Sequence, residues 1–140
     1  MATVERIQLD SAAPPERLPY DAVWVVMPED GKGRPLRGEF LKWLDWRSLG
    51  QLTRAVQRPA EVPTYVALGP EMPVRWIMVD RSKVVDADAL FKACGSLGLE
   101  RLLVVTEEFG KLEACADALS DSPSAKGAGS VYVAVTGEAP

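Results

Sequence analysis

The sequence predicts one α/β domain spanning residues 1–140, built as a three-layer α/β/α sandwich around a mixed sheet. Three observations lead there. Ala22 to Met27 (AVWVVM) and Arg101 to Thr106 (RLLVVT) are apolar runs without polar alternation, the pattern of strands buried on both faces. Segments with apolar residues at helical spacing lie between the strands and supply the covering layers. Two further strand-like segments are joined only by Gly69 to Pro73, too short for a crossover helix, so that pair is antiparallel.

Each element follows in turn. Val4 to Leu9 reads as a first strand at a sheet edge, closed by the Pro-rich turn Ala12 to Pro19. Ala22 to Met27 is a buried strand stopped by Pro28, and Glu29 to Pro35 (EDGKGRP) is a polar loop. A long helix then occupies most of Arg34 to Val56 and ends near Gln57, before Pro59. Thr64 to Leu68 and Val74 to Val79 form the hairpin. Asp86 or Ser82 caps a helix carrying Leu90, Phe91, Cys94 and Leu97, with Gly98 as its stop. Arg101 to Thr106 is a strand, and Gly110 to Leu119 a helix with Leu112, Cys115, Ala116 and Leu119 on its apolar face. Ser122 to Gly129 reads as a small-residue loop, Val131 to Val135 as the last strand, and the final GEAP as a fraying tail.

Composition removes several function classes. Histidine is absent, which takes away the commonest general base and the most frequent zinc ligand. The net charge of -4, with Lys and Arg scattered along the chain, argues against a nucleic-acid partner. Cys94 and Cys115 fall inside apolar helical patterns and read as small buried hydrophobes in a reducing, cytoplasmic setting. The opening MATVERIQLD has no apolar signal core, and no run approaches a membrane span. Asp86 with Asp88, and Glu107 with Glu108, have no further ligands at metal-binding spacing. No metal, cofactor or catalytic residue is therefore assigned.

Arg34 to Val56 (RPLRGEFLKWLDWRSLGQLTRAV) carries more apolar surface than one core-facing stripe requires. At about 100° per residue, Leu41, Leu44, Leu49, Leu52, Ala55 and Val56 share one arc and read as core. Phe40, Trp43 and Trp46 fall mainly outside it. These rings either complete the core beneath neighbouring segments or form an exposed anchor for a protein partner. Asp45 lies near the middle of the arc and needs donors, from the Gly31 to Arg34 backbone or from Arg37 or Arg47.

The block DAVWVVMPEDGKGRPLRG, followed by LDWRSLGQLTRAV, TYVALG, VRWIMV and RLLVV, resembles the N-terminal domain of the leucine aminopeptidase family. The matching helix pattern is Leu44, Asp45, Arg47, Gly50 and Leu52, and the likeness extends from about Asp21 to Val135. The resemblance implies a macro-domain-like fold. It implies no peptidase activity, because these residues contain no counterpart of the family's N-T-D-A-E-G-R-L signature or of its metal ligands. Val79, Asp80 and Arg81 stand where the family has a glycine-bearing strand end, and Arg58 to Pro63 replaces its linker glycines.

The expectation is a stand-alone, non-catalytic association module that self-assembles or docks to a protein partner through Phe40, Trp43 and Trp46. The alternative is a binder of ADP-ribose or a nucleotide. It would use an anion-binding nest at Gly31, Lys32, Gly33 and Arg34, or the Lys126 to Gly129 loop. The nest is not a P-loop, since the G-x-x-x-x-G-K-[ST] spacing is missing.

Overall fold

The computed structural model describes residues 1–8, 16–27, 36–57 and 63–138. Its strands are β1 (Thr3–Arg6), β2 (Ala22–Val26), β3 (Thr64–Ala67), β4 (Trp76–Asp80), β5 (Arg101–Thr106) and β6 (Tyr132–Gly137). They form one sheet in the order β1-β6-β5-β2-β4-β3. The β3–β4 hairpin is antiparallel, as the short connection requires, and every other pairing is parallel. The helices are α1 (Glu39–Arg47), α2 (Gln51–Gln57), α3 (Ala87–Leu97), α4 (Leu112–Asp121) and α5 (Pro123–Lys126).

Strand alternation divides the apolar runs between two cores. Trp24, Val26, Leu102 and Val104 face a cluster with Leu90, Phe91 and Cys94 of α3 and Cys115 and Leu119 of α4. Val23, Val25, Leu103 and Val105 face the other, with Leu41 and Leu44 of α1 and Leu52 and Val56 of α2. Each fully buried Val or Leu contributes about 1.5–3 kcal/mol, so neither layer can be removed. That is why β2 and β5 read as unbroken hydrophobic runs. Both cysteines are buried free thiols, and burial pushes Cys94 up to about 11.

Three local expectations change. The long helix is two helices, because Leu49 and Gly50 adopt left-handed φ angles of 59° and 79°. Leu49 is consequently turned out of the core arc and is 71% exposed. The Ser122 to Gly129 segment contains α5, which Ser122 caps by accepting from the Ser124 N–H (3.2 Å), with Pro123 in the first turn. The tail is ordered as far as described: β6 runs to Gly137 and Glu138 is buried. No helix among the described residues is long and apolar enough to cross a membrane.

Candidate functional site

Four parallel strands, β2, β4, β5 and β6, end at the same edge of the sheet, where open α/β folds bind ligands. Buried polar residues collect there: Asp80 at the end of β4, Thr106 and Glu107 at the end of β5, Thr136 and Glu138 at the end of β6. Asp80 is saturated by donors. Its Oδ2 accepts from Trp24 Nε1 (2.9 Å) and the Asp86 N–H (2.8 Å). Its Oδ1 accepts from the Ser82 N–H (3.1 Å) and Ser82 Oγ (2.5 Å). A carboxylate held by four donors anchors the turn into α3 and has little capacity left for a ligand.

Beside it lies a cleft of about 320 Å³ lined by Val26, Met27, Ser82, Lys83, Thr106, Glu108 and Lys111. The Ser82 hydroxyl is committed to Asp80, and Thr106 Oγ1 donates to the Glu108 carbonyl (3.0 Å). Among the described residues, Lys83 and Lys111 are left as the cationic donors of the wall, opposed by Glu108. The volume is at the lower end of small-molecule sites.

The start of α1 sits at the same edge. Glu138 Oε1 accepts from the Leu41 N–H (2.8 Å), satisfying one of the unpaired donors of the first helical turn. Burial pushes the Glu138 carboxyl above its ordinary range. The Leu41 and Phe40 N–H groups oppose that rise, and the Glu39 and Glu107 charges add to it. Gly38, at φ 92°, makes the close approach possible, because a Cβ there would collide with the Glu138 carboxyl group.

The other candidate surface is the corner between α1 and α2. Trp46 is 73% exposed and Leu49 71%, three residues apart and linked by a bond from the Leu49 N–H to the Trp46 carbonyl (3.2 Å). Phe40 is only 3% exposed and belongs to the core, which corrects its assignment to the partner surface. Trp43 is half-buried, its ring 5.6 Å from that of Phe40, with the Arg47 guanidinium 6.0 Å from its centroid. Asp45 is half-buried, and its donor comes from the first turn of α2. Its Oδ1 accepts from the Thr53 N–H (2.8 Å), so α1 supplies the N-terminal cap of α2.

No family model matches the sequence, and no curated protein matches it either. Solved structures do. The whole chain superposes on 34% of a mutant tomato leucine aminopeptidase, with a TM-score of 0.66 and 12% identity. It also superposes on the entire macrodomain of DarG from Thermus aquaticus, with a TM-score of 0.56 and 12% identity. The chain has a macro-domain-like fold.

At that identity the likeness concerns the fold alone, and the chain spans about a third of the aminopeptidase (34%). The aminopeptidase-like pattern acquires physical reasons. Leu44 and Leu52 are fully buried, Asp45 caps α2, Gly50 allows the left-handed turn, and Arg47 stacks near Trp43 while reaching the Glu16 carbonyl (3.4 Å). The nest at Gly31, Lys32, Gly33 and Arg34 lies outside the described residues. Lys126 to Gly129 precedes β6 and so lies at the amino ends of the strands, opposite the cleft of this macro-domain-like sheet. Among the described residues no three Cys, Asp or Glu side chains are grouped to hold a metal.

Sequence reasoning missed Lys83, Lys111 and Glu138 as neighbours of one edge, since only the strand order brings them together. It also missed Leu49 as a surface residue. The Ser48-Leu49-Gly50 triplet carried the signal, because a glycine inside a helical pattern marks a possible end.

Proposed function

We propose that this domain is a non-catalytic protein-association module whose contact surface is centred on Trp46 and Leu49, with the exposed edge of Trp43 beside them. The observation that carries the reading is the exposure of two large apolar side chains, both above 70%, on one helix corner. Tryptophan in such a position is a common interface anchor, and its burial in a partner would recover about 1.5–3 kcal/mol or more of hydrophobic free energy. The module acts by self-assembly or by docking to another protein, and the purified chain tests self-assembly directly. Light scattering over a concentration series should give a mass above the monomer. The Trp46→Ala/Leu49→Ala double variant should be monomeric with an unchanged circular dichroism spectrum. A parent chain that is monomeric throughout removes self-assembly.

A second reading is favoured by the Lys83 and Lys111 cleft at the carboxyl ends of the strands. There the domain binds a small anionic ligand of ADP-ribose or nucleotide type, held by the two ammonium groups. Calorimetric titration with ADP-ribose and common nucleotides distinguishes it. Heat that is present in the parent chain and lost in Lys83→Ala/Lys111→Ala supports this reading, and no heat at about millimolar ligand removes it.

A further inference from the structure

The segment that carries Trp46 has the opposite charge balance to the chain as a whole. Residues 36–57 hold four Lys and Arg against two Asp and Glu, on a chain whose net charge is -4. Lys42 is exposed one helical turn before Trp46, so the two share a face, and Arg47 lies beside Trp43. A symmetric contact between two such corners would set like charges against each other.

A surface of complementary character lies on the other face of the sheet. Helix α3 and the turn leading into β6 border a hollow of about 280 Å³ at the amino ends of β5 and β6. Phe91, Leu99 and Val131 are buried and form its floor, and Glu100 is the charged residue of its lining among the described residues. The next residue, Arg101, is engaged elsewhere: its guanidinium lies 4.4 Å from the Tyr132 ring centroid and its Nε donates to the Pro19 carbonyl (3.0 Å). The volume falls just below the about 300 Å³ at which small-molecule sites begin, and it suits one aromatic side chain. Gly95 borders the hollow from inside α3, where alanine would be the better helix former. Among the described residues no other segment comes within 4 Å of where its Cβ would stand.

We propose that the domain assembles head to tail, with Trp46 of one copy seated in the α3 hollow of the next and Lys42 of the first facing Glu100 of the second. This rests on the self-assembly reading above and names the surface that receives the tryptophan. The α1–α2 corner and the hollow belong to opposite cores with the sheet between them, so a chain cannot fill its own hollow. Once covered, the indole N–H needs an acceptor, which the Glu100 carboxylate or the Ser130 hydroxyl of the hollow supplies. A contact between two different surfaces leaves one of each free at the ends, so growth continues beyond two copies.

Light scattering on the parent and two variants tests this arrangement. The parent mass should rise past that of a dimer as concentration increases, and less so at high salt. Trp46→Ala loses the inserted ring, and Gly95→Gln puts a polar side chain into the hollow; each alone should be monomeric with a native circular dichroism spectrum. Mixed in equal amounts, the two variants should form a dimer and stop there, because only one intact pair of surfaces remains. Isotope-labelled Trp46→Ala mixed with unlabelled parent should show amide shifts at Gly98, Ala128 and Ser130, a measurement that stands even if Gly95→Gln folds poorly. Folded Gly95→Gln that assembles like the parent, a variant mixture that stays monomeric, or unshifted hollow amides beside an assembling parent would overturn the head-to-tail contact and leave self-assembly through Trp46 and Leu49 in place. A parent that is monomeric at every concentration would remove both.

Discussion

Two helical segments cover opposite faces of the sheet, and they end in different ways. Helix α3 runs eleven residues without interruption. Asp86 caps its start by accepting from the Ala89 N–H (3.0 Å), and Gly98, at φ 66°, closes its end by donating its N–H to the Cys94 carbonyl. Every one of those signals is local. The α1–α2 segment takes its caps from further away. Glu138, 97 residues on, meets the first turn of α1, and Asp45 reaches across the break to Thr53. Arg81 donates to the Ala55 and Val56 carbonyls at the end of α2. A helix capped by its own sequence can be all core face and solvent face. A pair of helices capped by tertiary contacts can break, and the break turns Trp46 and Leu49 outward.

The comparison is tested most strongly in the cores themselves. Leu44 of α1 and Leu90 of α3 are both fully buried. Leu44→Ala and Leu90→Ala should each cost about 2–5 kcal/mol in urea unfolding, since both leave a cavity against the same sheet. Similar losses mean that the two layers are equally packed despite their different ends. A loss below about 1 kcal/mol at Leu44 would show that the broken segment is loosely attached.

The caps come next. Asp45→Ala and Asp86→Ala each remove one side-chain acceptor at a helix start, for an expected cost of about 1 kcal/mol apiece. They should differ in where the loss is felt. Hydrogen exchange in Asp86→Ala should rise in the first turn of α3 alone. In Asp45→Ala it should rise in α2 and at the α1–α2 corner together, because Asp45 connects the two helices. Exchange confined to α2 would mean that the corner is fixed by Gly50 without help from Asp45.

The same distinction explains what could be read beforehand. The doubly buried strands, the β3–β4 hairpin and α3 were legible because unbroken apolar runs, a short connection and the Asp86 and Gly98 signals all lie within a few residues of the structure they specify. The α1–α2 break was not, because Leu41, Leu44, Leu52 and Val56 keep helical spacing straight across it. Trp46 was legible as surplus apolar area, whereas Phe40 was not separable from it. Phe40 is covered by the second core, which draws on β2, β4 and β5, residues remote in sequence. The cleft was illegible for a related reason: Lys83 and Lys111 become neighbours only once β4 and β5 flank β2 in the sheet.

The smallest expected effect on stability carries the most functional weight. Phe40 and Trp46 lie six positions apart on one helix, yet one is 3% exposed and the other 73%. Phe40→Ala should cost about 3–5 kcal/mol, because a buried ring is lost from the second core. Trp46→Ala should stay within about 0.5 kcal/mol of the parent when unfolding is measured at a concentration low enough to keep the chain monomeric. Repeated at high concentration, the parent should gain stability and Trp46→Ala should not, since association stabilises only the folded chain. A Trp46→Ala loss already present in the dilute monomer would mean that the ring packs on its own chain, and the surface would then lose its anchor. Equal stability at every concentration would leave the exposed ring as an ordinary surface tryptophan and remove self-assembly from the proposed function.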